Sequence, residues 1–168
     1  RTPFRRQKMK EIEVTLTVNK RAQTVNGVPR MTLVDCLRDI LRLTGTHVGC
    51  EHGVCGACSV MFDGEPVRSC LMFAVQAEGH EIMTVEGLIG EDGEISDLQD
   101  SFWECHAMQC GYCTPGMLIS SHALLMENPS PDDHDIREAI SGNLCRCTGY
   151  QQIVEAIKMA AERRQEGL

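Results

Sequence analysis

Aromatic side chains are scarce in this chain of 168 residues, with one Trp, two Tyr and four Phe. A core built on aromatic mass is excluded, and the length suits one domain or two of about half the size, each needing some other brace. Long apolar runs are missing as well. No stretch approaches the ~18 to 20 residues of a membrane span, and no apolar segment with a small-residue cleavage site follows the first residues. The pair Arg5-Arg6 is followed by QKMKEIEV rather than by the apolar stretch of a twin-arginine signal. A cytoplasmic location is therefore expected, where disulfides rarely persist. Basic charge is in deficit too, with 16 Lys and Arg against 24 Asp and Glu and a net charge of −8, which speaks against a nucleic-acid partner. No G-x-G-x-x-G or G-x4-G-K-[ST] motif offers a cradle for a dinucleotide or nucleotide phosphate.

What is present is cysteine. Ten of them could form a disulfide, metal or redox framework, and the predicted compartment favours the last two. The charge is uneven. Residues 1–10 (RTPFRRQKMK) carry five bases and no acids, residues 11–90 six bases and ten acids, and residues 91–168 five bases and fourteen acids. The basic start reads as a solvated arm or as an arm docking on a partner subunit.

The pattern divides the chain in two. EIEVTLTV, residues 11–18, alternates as a strand, with Ile12, Val14, Leu16 and Val18 on one face. Asn26-Gly27 reads as a turn. Thr32 is placed to cap a helix from Leu33 to about Leu43, with Leu33, Cys36, Leu37, Ile40 and Leu41 on one face and Gly45 as its end. SVMF leads into the hairpin signal Asp63-Gly64, and EIMTVEGL offers a further strand. Strands around one helix predict a small α+β sheet domain over residues 11–88. The polar tract IGEDGEIS, residues 89–96, marks the boundary. Beyond it, residues 89–168 predict four short helices. Leu98, Phe102, Cys105 and Gln109 share a face of the first, and Pro115 starts a second that stops at Pro129. Ser130 caps a third with Pro131 at its first position, and Ile153, Val154, Ile157, Ala160 and Ala161 define the last.

Cys50, Cys55 and Cys58 have the spacing C-x4-C-x2-C, with Cys70 further on, as in plant-type [2Fe-2S] ferredoxins. In GCEHGVCGACS, Gly49, Gly53, Gly56 and Ala57 keep the loop thin enough for backbone N–H groups to point at sulfur. A zinc site on Cys55 and Cys58 would leave the x4 spacing unexplained. A Rieske centre would need Cys-x2-His where the chain has Cys55-x2-Cys58, so His47 and His52 read as loop-surface groups or as neighbours that touch the ligands without binding metal. In the second half Cys110-x2-Cys113 and Cys145-x-Cys147 could hold a second cluster, although Cys105, Cys110 and Cys113 repeat the first spacing. The apolar helical face of Cys105 argues against it, as does the count: two sets of four, plus Cys36 and Cys105 in the core.

The segments CEHGVCGAC, QCGYCTPGM and NLCRCTGYQQIVEAI resemble the small iron–sulfur subunit of the xanthine oxidase family of molybdenum hydroxylases, over residues 11–160. The resemblance implies an N-terminal β-grasp ferredoxin-like domain holding Cys50, Cys55, Cys58 and Cys70. A C-terminal four-helix domain holding Cys110, Cys113, Cys145 and Cys147 would follow. It also implies that Gln109 and Cys147 approach a molybdenum-pterin, of the molybdopterin cytosine dinucleotide kind, on a large subunit. Electrons would pass from it through the helical-domain cluster and then the ferredoxin-like cluster to FAD on a medium subunit, in a dimer of heterotrimers. The substrate would be small, with an N-heteroaromatic ring one option, and its chemistry would lie on the partner chain. A diffusible two-cluster ferredoxin is the other reading, and its acidic surface would suit transient docking; a structural zinc protein is a third.

Overall fold

The computed structural model describes residues 10–90 and 93–166, so the basic arm before Lys10 lies outside the described residues, as do positions 91 and 92 of the polar tract. The alternating segment forms β1 (Ile12–Val18), with Val14, Leu16 and Val18 buried on one face. It pairs antiparallel with β2 (Arg21–Gly27) along its full length. The turn between them is Asn19-Lys20, with φ of 49° and 64°, the double left-handed geometry that a two-residue hairpin needs. Asn26-Gly27 is therefore not a turn. Those two residues lie in β2, opposite Glu13 and Ile12.

β3 (Ser59–Phe62) and β4 (Glu65–Arg68) form the hairpin over Asp63-Gly64. β5 (Glu81–Met83) is shorter than EIMTVEGL predicts, because a 3₁₀ turn takes over at Val85–Leu88. It runs parallel to β1 and antiparallel to β3, which gives one mixed sheet in the order β2-β1-β5-β3-β4. Across this sheet lies α1 (Leu33–Asp35), capped by the Thr32 hydroxyl and continued as a π-helical turn over Cys36–Ile40. Leu33, Cys36 and Leu37 are fully buried as expected, whereas Ile40 is exposed. The Leu41 N–H closes on the Cys36 carbonyl at 3.0 Å, and the chain turns out at Arg42 with φ 60°, three residues before Gly45. The predicted helix is thus shorter and wider, because one extra residue per turn rotates Ile40 off the core face.

Four helices follow. In α2 (Asp97–Glu104) Ser96 and Gln99 form a reciprocal cap. The helix stops with Cys105 as its C-cap, so Gln109 lies in the next loop and not on the face of Leu98 and Phe102. Pro115 sits in the first turn of α3 (Thr114–Glu127). α4 (Asp133–Ile140) is capped by Asp132 rather than Ser130, since the Asp132 carboxylate accepts the Asp135 N–H at 2.9 Å. α5 (Gln151–Glu166) packs along α2, where Arg164 pairs with Asp97 and Arg163 reaches Asp100 at 2.9 Å.

Two apolar clusters hold these elements. One lies between the sheet and α1 around Leu16, Leu33, Leu37 and Val60. The other lies among the helices around Phe102, Met117, Ile119, Ile153 and Ile157, and it includes Met61 of β3 and Leu88. The second cluster therefore spans the polar tract. Among the described residues no helix is long and apolar enough to cross a membrane.

Candidate metal centres

The loop between α1 and β3 carries Cys50, Cys55 and Cys58, and the 3₁₀ turn Ser69–Leu71 after β4 carries Cys70. Arg38 pins the start of that loop by donating to the carbonyls of Thr44 and Thr46, at 2.7 and 2.6 Å. Glu86 holds it from the other side, accepting the Gly45 N–H at 2.8 Å. The Cys70 thiol faces those of Cys58 and Cys50, and burial pushes it up to about 11. Cys50 behaves in the opposite way. Backbone N–H groups of His52 and Cys55 hold its thiol down at about 6, and the Cys55 N–H lies 3.4 Å from its sulfur. The loop is thus built to carry thiolate charge on backbone amides.

The second quartet is assembled from two other loops. Cys110 and Cys113 lead into α3, and Cys145 and Cys147 lie between α4 and α5. The Cys147 and Cys110 sulfurs are 3.5 Å apart, and the Cys113 thiol faces those of Cys145 and Cys110. Burial pushes Cys113 up to about 12. Burial works on Cys145 too, but the Thr148 hydroxyl, 3.1 Å from its sulfur, and nearby backbone amides bring it below its ordinary value.

Both sets fit an iron–sulfur cluster in their donor chemistry. Each offers four thiols, and all ten cysteines are free. A Cβ on Gly49 would lie 3.0 Å from the Cys55 sulfur, so glycine keeps that side clear. Beside Cys113 the Thr114 hydroxyl is buried with no hydrogen-bond partner among the described residues, a donor left over for a sulfur. The histidines are turned elsewhere: His52 Nδ1 bonds the Cys50 carbonyl and His47 Nδ1 the Tyr112 carbonyl at 2.9 Å. Cys105 stands apart from both quartets with its sulfur 3.9 Å from Met159 Sδ, and Cys36 is buried under the sheet.

The two loops are brought together by a seam that sequence reasoning did not find. The Gly56 carbonyl, next to Cys55, accepts from the buried Asn143 amide at 3.3 Å, and Leu144 N–H bonds the Cys55 carbonyl at 2.9 Å. Arg68 of β4 donates to Ser59 Oγ at 2.6 Å and to the Gly142 carbonyl at 2.8 Å, crossing the same boundary. Gly56 has φ 73°, and a Cβ there would lie 2.5 Å from the Gly142 carbonyl oxygen, so only glycine fits. The one signal in the sequence was the presence of Asn143 and Gly56 inside the cysteine motifs.

The family comparison matches this arrangement half by half. Residues 16–84 match a family described as 2Fe-2S iron-sulfur cluster binding domain, and residues 84–158 one described as [2Fe-2S] binding domain. Caffeine dehydrogenase subunit gamma of Pseudomonas sp. (strain CBB1) is 60% identical over 148 residues, which are 86% of this chain and 88% of that protein. This chain belongs to the small iron–sulfur subunits of the xanthine oxidase family of molybdenum hydroxylases. The nicotine 6-hydroxylase small subunit of Paenarthrobacter nicotinovorans is 54% identical, with 87% of each chain covered. Among solved structures, quinoline 2-oxidoreductase from Pseudomonas putida 86 superposes with a TM-score of 0.88 at 50% identity, covering 94% of this chain and 98% of that one. The α+β fold expected from the resemblance is thus the observed one. The small iron–sulfur subunit has two [2Fe-2S] binding domains, and its role is electron transfer within a molybdenum oxidoreductase.

Proposed function

We propose that this subunit carries electrons singly from a molybdenum-pterin on a large partner subunit to FAD on a medium partner subunit, while the complex hydroxylates a small N-heteroaromatic substrate. The observation that carries this is the pair of thiol quartets on loops joined by the Gly56–Asn143 seam. In this reading Cys50, Cys55, Cys58 and Cys70, within residues 11–88, hold one [2Fe-2S] centre. Cys110, Cys113, Cys145 and Cys147, within residues 89–168, hold the other. Each centre, when bound, supplies a carrier for one electron. The names of relatives acting on caffeine, nicotine and quinoline support the substrate class.

The chain's own residues position these groups. Gln109 Nε2 donates to the Cys147 carbonyl at 3.1 Å, and both residues are exposed, which supports a pterin contact there. Apolar side chains near the quartets, Val54, Leu71 and Leu144, are more than half exposed, which supports burial against partner subunits. A cytoplasmic dimer of heterotrimers, with the pterin as its cytosine dinucleotide, completes the proposal.

Metal analysis of the purified complex is expected to give about four iron and about four sulfide per small subunit. Zinc, or about half that iron, would contradict the ligand assignment. Gln109→Ala spares every thiol, so iron content should hold while the first electron step from reduced molybdenum slows. His52→Ala should leave that step unchanged. Rapid mixing of substrate with the complex, following the two centres separately, reads both, and the reverse pattern would abandon the pterin assignment.

A further inference from the structure

Tyr112 lies between Cys110 and Cys113, yet its side chain leaves that loop and crosses to the other one. Its hydroxyl donates to the Val48 carbonyl, two residues before Cys50. In return His47 Nδ1 donates to the Tyr112 carbonyl at 2.9 Å. The imidazole and phenol rings stack with centroids 4.9 Å apart and planes inclined by 30°. A Cβ built on Gly49 would lie 3.7 Å from the phenol ring edge, so the ring passes close over that backbone. Two hydrogen bonds and a ring stack thus join the stretch just before the first quartet to the middle of the second. Nothing in this pair binds a thiol, and the fold does not need the hydroxyl for its core, since Tyr112 is about half exposed.

We infer that Tyr112 and His47 are positioning residues that set the approach of the two centres, and hence the rate at which an electron crosses between them. This rests on the cluster assignment proposed above. In the step concerned, one electron leaves the centre of Cys110, Cys113, Cys145 and Cys147, which is oxidised by one. It enters the centre of Cys50, Cys55, Cys58 and Cys70, which is reduced by one. No covalent bond forms or breaks, and Tyr112 begins and ends in the same redox state. Such a crossing falls off steeply with distance, so a loop free to swing costs rate without costing iron.

The test uses the assembled complex reduced with dithionite. In the unsubstituted protein both centres should be paramagnetic and their signals should show mutual magnetic splitting at low temperature. Tyr112→Ala should keep iron and both signals, diminish the splitting, and slow the crossing on the order of tenfold to a hundredfold, as loss of a positioned contact does. Tyr112→Phe keeps the stack and loses one hydrogen bond. Amide exchange across residues 46–50 should then rise about fivefold, with a smaller loss of splitting. If Tyr112→Ala failed to retain iron, Tyr112→Phe and His47→Ala would decide, since each must loosen residues 46–50 and weaken the splitting. Unchanged splitting and exchange in these variants would overturn the inference while leaving the cluster assignment intact. Absence of either signal in the unsubstituted complex would overturn the assignment first, and the inference with it.

Discussion

Cys113→Ala will remove one of the two paramagnetic signals and destabilise the helical half of the chain, whereas Cys105→Ala will keep both signals. The difference lies in where each thiol stands. Cys113 is the N-cap of α3, and its carbonyl accepts the Met117 N–H at 3.0 Å. Its thiol faces Cys145 and Cys110, and burial holds the free thiol neutral up to about pH 12. A buried neutral thiol becomes a ligand only by giving up its proton to solvent as the metal takes its place, so binding free energy and folding free energy are linked at this position. Without it the loops before α3 and before α5 lose their common anchor. Cys105 touches Met159 instead, and its own thiol is raised first by burial and then by Glu155 and Glu104. Truncating it deletes a partly buried sulfur, at a cost of about 1 to 2 kcal/mol. Iron analysis, low-temperature spectra of the reduced protein and thermal unfolding of both variants check this. Loss of a signal in Cys105→Ala would show that the repeated C-x4-C-x2-C spacing had been assigned the wrong way.

Gly116→Ala should be nearly as damaging, although it removes nothing. The added Cβ would lie 2.2 Å from the Gly56 carbonyl oxygen and 2.8 Å from Asn143 Nδ2. Gly56 is in backbone and Asn143 is 1% exposed, so neither can swing aside as a surface side chain would. α3 must move away from the first loop or that loop must open, at about 1 to 3 kcal/mol for an overpacked contact. The displaced atoms sit beside Cys55 and two residues before Cys145, so iron retention should fall along with the melting temperature. Gly64→Ala is the control. Nothing lies within 4 Å of its Cβ, and only its φ of 89° resists substitution. Its cost should stay near 1 kcal/mol with iron unchanged. Equal iron loss in both variants, or none in Gly116→Ala, would mean that the seam does not govern the metal centres.

What could be read in advance depended on range. β1 was legible because its apolar residues recur at every second position, and the β3–β4 hairpin because Asp63-Gly64 advertises its turn. β2 was not, because Arg21 to Gly27 is a mostly exposed edge strand with little alternation. The Asn-Gly pair inside it drew the turn away from Asn19-Lys20, where Asn and Lys accept positive φ without glycine. The 3.6-residue period of the sequence carries on past Cys105 to Gln109, while the chain itself turns at His106 with φ 50°. Cysteine spacing marked Cys50, Cys55 and Cys58 because those ligands sit within a few residues of one another, but in the second half it left Cys105 in competition until its apolar helical face and the count of ten set it aside. The seam escaped because its hydrogen bonds join residues such as Gly56 and Asn143, separated by 87 positions. No local pattern records which carbonyl a distant amide will find.

Met61 and Leu88 carry a consequence for anyone who would treat the two halves as interchangeable parts. A cut at the polar tract separates the cysteine motifs cleanly. Yet these two buried side chains, from the first half, sit in the apolar cluster of the helices. A helical half grafted onto another protein would carry two vacant berths in its interior, and the half left behind would show the methionine of its sheet and the leucine of its last 3₁₀ turn to water. The portable unit is larger than the motif, and its border runs through β3.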